Sequence, residues 1–250
     1  MQCIFSGLFN FIFIGWTVLL LFTLWVLLPL SRRMFRRGIS LWPKLLFPAL
    51  EHLVGLTFEL RGQENVPDGP VIYAVKHQST WETMFFLWQD PETAYIMKKE
   101  LNSIPFWKWY MAKSQHVVID RSGAASAMRQ MVANSQHILA EGRSIVIFPE
   151  GTRSRPGKAN IYHPGIAALY RRTGATVIPV ALNTGLFWGR RQFLKHPGKM
   201  TVQFLPALPS GLDRKQFMSQ LETAIEDATR DLEQEALRHH PHLHLNPVDN

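Results

Sequence analysis

The sequence predicts an α/β fold: a mixed, largely parallel sheet of about seven strands flanked by helices, with an N-terminal apolar membrane-anchoring helical segment. Two observations carry this expectation. From Leu56 onward, short runs rich in β-branched and aromatic residues alternate with stretches of helical periodicity, the pattern of a sheet covered by helices. Before that point the composition is different, and residues 1–31 contain no charged side chain at all. The chain has 250 residues, enough for one sizeable domain with an appendage. Its formal net charge of +8 points to an anionic partner, whether nucleic acid, anionic lipid or a phosphorylated substrate. The single cysteine, Cys3, excludes an intramolecular disulfide and a thiolate-rich metal site, and fits a reducing compartment.

Taken in order, residues 9–30 form an almost wholly apolar run. About 20 such residues cross a bilayer core as a helix. No cationic segment precedes the run, it is too long for the core of a signal peptide, and no small-x-small cleavage site follows. It is therefore expected to stay as a membrane anchor. Arg32, Arg33, Arg36 and Arg37 come directly after it, which by the positive-inside rule puts the rest of the chain on the cytoplasmic face of the inner membrane. A second apolar stretch, 39–58, is broken by Pro43, Lys44, Pro48 and Glu51. It reads as an interfacial helix with Trp42 and Lys44 as anchors, and a two-helix hairpin dipping into one leaflet is the competing geometry. Residues 1–55 are assigned to this anchor and interfacial helix, 56–238 to the folded domain, and 239–250 to a flexible His-rich tail.

Within the domain the expected strands are 56–60, 71–75, 93–97, 116–119, 144–148, 176–181 and 200–205. Helices are expected at 79–89, 124–141, 164–173 and about 213–238. Met128, Met131, Val132 and Ile138 recur at helical spacing and read as core. In the last helix Phe217, Leu221, Ile225, Ala228 and Leu232 share one face, so that helix is expected to pack on the domain.

Two stretches carry chemistry. In His77-Gln-Ser-Thr-Trp-Glu82 the histidine follows a strand and the glutamate enters the next helix. A histidine near its ordinary pKa can take a proton from an alcohol at neutral pH, and a carboxylate on its other nitrogen fixes the tautomer. Ser79 with Glu82 equally fits a capping box, and the two readings can coexist because a carboxylate has two oxygens. The second stretch, Phe148-Pro-Glu-Gly-Thr-Arg-Ser154, places a glycine, a hydroxyl and a guanidinium after an apolar strand, which suits a phosphate-bearing ligand. Lys98, Lys99, Arg121 and Arg153 all follow strands, so parallel pairing would gather them into one anion pocket beside His77. No Gly-x-Ser-x-Gly elbow, Walker loop or H-E-x-x-H zinc pattern is present, so a substrate hydroxyl is the expected target of His77. With no recognition helix or aromatic RNA-binding signature, nucleic acid is not an expected partner.

These residues resemble the glycerolipid acyltransferases, which include the 1-acyl-glycerol-3-phosphate acyltransferases. His77 with Glu82 is similar to the family's first block, Val117-Val-Ile-Asp-Arg121 to the second, 148–154 to the third, and Val177-Ile-Pro-Val-Ala181 to the fourth. The order is the family's, and the likeness runs from about Lys76 to Leu182. One departure is Glu82, where the family's first block usually ends in aspartate. The resemblance implies that residues 56–238 are an acyltransferase domain joining a fatty acyl group, from acyl-CoA or acyl-carrier protein, to the sn-2 hydroxyl of lysophosphatidic acid. It implies His77 as general base and Glu82 as its orienter. It also implies that Arg121, Glu150, Gly151, Thr152 and Arg153, with Lys98, hold the acceptor's glycerol phosphate, and that Pro179 shapes the acyl side. A thiolate is a good leaving group, so neither a metal nor another cofactor is expected. Other acceptors, a different lysophospholipid or a lipid A-type precursor, remain open. So does a non-catalytic, membrane-anchored module that binds anionic lipid.

Overall fold

Three helices open the chain in the computed structural model, which describes residues 1–120 and 124–245: α1 (Gln2–Leu27), α2 (Arg32–Ile39) and α3 (Leu41–Val54). The face of α1 that carries Ser6, Phe9, Leu20 and Leu24 is buried against the rest of the chain. Ile4, Phe5, Leu8, Phe11, Ile14, Val18, Phe22 and Trp25 on its other face are exposed. Near its middle, Trp42 Nε1 donates to Thr17 Oγ1 at 2.9 Å and Trp16 Nε1 to the Leu41 carbonyl at 3.3 Å. At its first turns, Asn10 Oδ1 accepts from Lys195 Nζ at 2.6 Å. Gly55 ends α3 at φ 72°, a conformation glycine adopts without strain.

The strands are β1 (Leu56–Arg61), β2 (Ile72–Val75), β3 (Ala94–Lys98), β4 (Val117–Ile119), β5 (Ile145–Ile147), β6 (Val177–Leu182) and β7 (Gly198–Phe204). They form one seven-stranded sheet in the order β1-β7-β6-β2-β5-β3-β4. β2 pairs parallel with β5 and β6, β3 with β4 and β5, and β1 with β7. Only the β6–β7 pair is antiparallel among the described residues, which makes the sheet mixed and largely parallel, as expected. Every residue of β2, β5 and β6 is buried, the continuous apolar pattern of strands covered on both faces.

The domain helices are α4 (Trp81–Gln89), α5 (Trp107–Ser114), α6 (Ala124–Ala140), α7 (Gly165–Thr173), α8 (Thr184–Phe187) and α9 (Arg214–His239). Successive side chains of β2 point to opposite faces. Tyr73 and Val75 therefore join Trp81 and Phe85 in one core, while Ile72 and Ala74 join Met131, Ile138, Ile166, Phe217, Leu221 and Ile225 in the other. Beyond α9, Leu243 is buried in the first core and His242 bonds the Pro197 carbonyl at 3.1 Å.

Candidate active site

Because β2, β3, β4, β5 and β6 run parallel, their carboxyl ends open on one edge of the sheet. His77 lies two residues past β2, Lys98 ends β3, residues 148–154 follow β5, and Thr184 follows β6. Arg121, expected in this group, lies outside the described residues.

His77 Nδ1 is 2.8 Å from Glu82 Oε1. The same oxygen accepts from the backbone N–H of Gln78 at 2.7 Å and of Ser79 at 2.6 Å, and Oε2 accepts from the Thr184 hydroxyl at 2.8 Å. With donors converging on it, the fully buried carboxyl acts as acceptor, so His77 donates through Nδ1 and keeps the lone pair on Nε2. Orienting a histidine and satisfying backbone N–H groups at the start of α4 are thus one arrangement, carried mostly by one oxygen. The helix begins one residue later than the capping box implies, with Thr80 as N-cap, and the Ser79 hydroxyl accepts from Trp81 N–H at 3.2 Å. The imidazole stacks on Phe148, with ring centroids 3.9 Å apart and planes tilted by 18°.

The loop after β5 grips the backbone of His77 from both sides. Its N–H donates to Glu150 Oε1 at 3.2 Å, and its carbonyl accepts from Ser154 N at 2.7 Å and Ser154 Oγ at 3.1 Å. Gly151, at φ 62°, closes the turn that makes this possible, its N–H donating to the Phe148 carbonyl at 2.9 Å.

His77 opens on a cavity of about 1000 Å³. Lys98, Gly151, Thr152, Arg153, Arg190 and Arg191 share its lining with Leu20, Leu21 and Leu24 of α1 and with Met97, Trp107, Met111, Met131 and Ile166. The result is a largely apolar space whose wall holds the histidine and several cations. Burial pushes the pKa of Arg153 down, Glu82 opposes that shift, and Arg190 adds to it. An anionic ligand would offset this cost. His116, also in the lining, accepts from Tyr95 N–H at 3.0 Å through Nδ1, and burial pushes its pKa down to about 3.

Of the residues expected to bind an acceptor, Lys98, Gly151, Thr152 and Arg153 line the cavity with His77. Glu150 does not. It is buried, and its second oxygen accepts from Asn160 N–H at 3.1 Å and lies 3.3 Å from Lys76 Nζ. Pro179 lies within β6 opposite Ala74, outside the cavity lining. Three participants were not expected. Thr184 sits in no motif; Ser154 was visible only as the end of one; and α1, read as an anchor, supplies part of the cavity wall. Among the described residues no group of three or more metal-ligating side chains is gathered.

A family model described as Acyltransferase matches residues 57–183. The 1-acyl-sn-glycerol-3-phosphate acyltransferase of Pseudomonas aeruginosa is 34% identical over 182 residues, 73% of this chain and 70% of that protein. The enzyme of the same name from Limnanthes douglasii is 29% identical over 185 residues, 73% of this chain and 65% of that protein. The crystal structure of the 1-acyl-sn-glycerophosphate acyltransferase PlsC from Thermotoga maritima has the same fold, with a TM-score of 0.69 at 23% identity over 93% of this chain and 96% of that one.

Proposed function

The chain belongs to the acyltransferase family, among its 1-acyl-sn-glycerol-3-phosphate acyltransferases, and on that premise we propose that it acylates the sn-2 hydroxyl of lysophosphatidic acid to give phosphatidic acid for phospholipid biosynthesis. The donor is an acyl thioester, acyl-CoA or acyl-carrier protein. His77 Nε2 takes the proton of the hydroxyl as its oxygen attacks the thioester carbonyl. Collapse of the tetrahedral adduct expels the thiolate, which leaves as a thiol with the proton returned by the imidazolium. Glu82, held by Thr184 and two backbone N–H groups, keeps the ring in the required tautomer and stabilises its charged form. Arg153, Lys98, Gly151 and Thr152 hold the acceptor's phosphate end, and Arg121 joins them on the resemblance of its block alone. Glu150, buried outside the cavity lining, instead fixes the peptide of His77.

The observation that carries this reading is the 2.8 Å His77–Glu82 pair opening on an apolar cavity with Arg153 in its wall. A non-catalytic lipid-binding module would need the cations but not the pair. α1, the one described helix long and apolar enough to cross a membrane, docks by one face on the domain and exposes apolar side chains on the other. That arrangement supports a chain set into the cytoplasmic leaflet of the inner membrane, with α1 between the lipid and the cavity. The test is to assay purified protein with lysophosphatidic acid against acyl-CoA and acyl-carrier-protein donors, alongside other lysophospholipids and a lipid A precursor. Phosphatidic acid from at least one donor is expected. None from any donor, or a stronger reaction with another acceptor, overturns the assignment.

A further inference from the structure

We propose that α9 positions the candidate base: Glu226 and Glu233 grip the two residues that flank His77 in the chain, Lys76 and Gln78, and hold the loop of Arg153 with them. The inference rests on reading His77 as the base. Successive side chains of an extended segment point to opposite sides. His77 opens on the cavity, whereas Lys76 and Gln78, both fully buried, turn toward α9. Lys76 Nζ donates to Glu226 at 2.7 Å and 2.9 Å, and to the Lys158 carbonyl at 3.2 Å. Gln78 Nε2 donates to Glu233 Oε1 at 2.7 Å. Glu233 Oε2 accepts from Gly157 N–H at 2.9 Å, and the Tyr162 hydroxyl donates to Glu226 Oε1 at 2.8 Å.

The two glutamates are seven residues apart, two helical turns, and so lie on one face of α9. Through Lys76 the grip reaches Glu150, whose other oxygen takes the N–H of His77. The helix thus holds both chemically active stretches against each other. It does not need these carboxylates to stay in place, because Phe217, Leu221, Ile225 and Leu232 already bury its apolar face. The buried Lys76–Glu226 ion pair contributes little net stability compared with an apolar replacement, and Gln78–Glu233 is a single side-chain hydrogen bond, so a role in geometry accounts for the two contacts better than one in anchoring.

The test compares Glu226→Gln and Glu233→Gln with Glu235→Gln, a change on the same helix that breaks the pair between Glu235 and Arg61 of β1. All three are made in the full-length chain in detergent micelles. The first two are expected to lower kcat on the order of tenfold to a hundredfold, with KM for both substrates changed by less than about twofold. Glu235→Gln is expected to behave as wild type. A second readout needs no acyl transfer. The Nδ1 proton that His77 donates to Glu82 is expected to give a downfield resonance in nitrogen-edited spectra of the wild type, which should shift or broaden in Glu226→Gln and Glu233→Gln only. Wild-type kcat and an unmoved resonance in both variants would overturn the proposal, as would loss of cooperative thermal unfolding in both. If the wild type transfers no acyl group while the resonance still moves, the clamp stands and the assigned reaction falls.

Discussion

At the scale of residues, the ring of His77 is fixed by contacts of different kinds: the carboxylate of Glu82, the face of Phe148, and a peptide bonded at both its N–H and its carbonyl. Substituting Glu82→Gln removes the charge that stabilises the imidazolium, so kcat is expected to fall on the order of 10²–10⁴-fold with little change in KM, read by thiol release. Arg153→Ala should act in the opposite sense, raising KM for the acceptor at least about tenfold while the donor KM stays nearly constant. His116 gives a pH signature. Its folded pKa, about 3, lies below the ordinary value of 6.5 because burial penalises the imidazolium, with Arg143 and Arg36 adding repulsion. Above pH 6.5 both folded and unfolded chains carry it neutral and its contribution is complete. As the pH falls from 6.5 through about 3 only the unfolded chain takes up the proton, so stability is lost. In denaturant titrations at stepped pH, His116→Gln should remove this part of the acid sensitivity.

Among the elements, α9 and α1 have their roles revised most. The apolar stripe of α9 was legible from its spacing, and Phe217, Leu221 and Ile225 are fully buried as expected. Phe217→Ala should therefore cost about 3–5 kcal/mol, seen as a large drop in the unfolding midpoint. The polar face of the same helix, which sequence patterning treats as solvated surface, instead reaches the chain on either side of His77. Helix α1 read from hydropathy as an anchor alone. Its buried face supplies Leu20, Leu21 and Leu24 to the cavity, and the Tyr110 hydroxyl of α5 donates to its Leu21 carbonyl.

For the whole molecule, the outward stripe of α1 is the feature on which the proposed membrane location rests. Phe11 is 77% exposed and Val18 47%, on a helix whose opposite face is docked. Burying such side chains in lipid is worth about 1.5–3 kcal/mol each. Phe11→Lys with Val18→Lys should accordingly shift the protein from the membrane pellet to the supernatant after ultracentrifugation, with its unfolding midpoint little changed.

The sequence by itself determined the alternation of strands and helices, the apolar first helix, and the His77–Glu82 pair. That pair lies within one short strand-to-helix turn, so its geometry is local, and local backbone preference and hydrophobic period are what a linear pattern records. The tertiary structure alone decided the strand order, with β7 antiparallel to β6, and the partners that arrive from far along the chain. Thr184 meets Glu82 across 102 residues and Glu226 meets Lys76 across 150. It also decided that Glu150 turns inward while its neighbours Gly151, Thr152 and Arg153 face the cavity. The reason is physical: which polar groups are driven to find partners depends on what packing removes from water, and that is a property of the assembled layers.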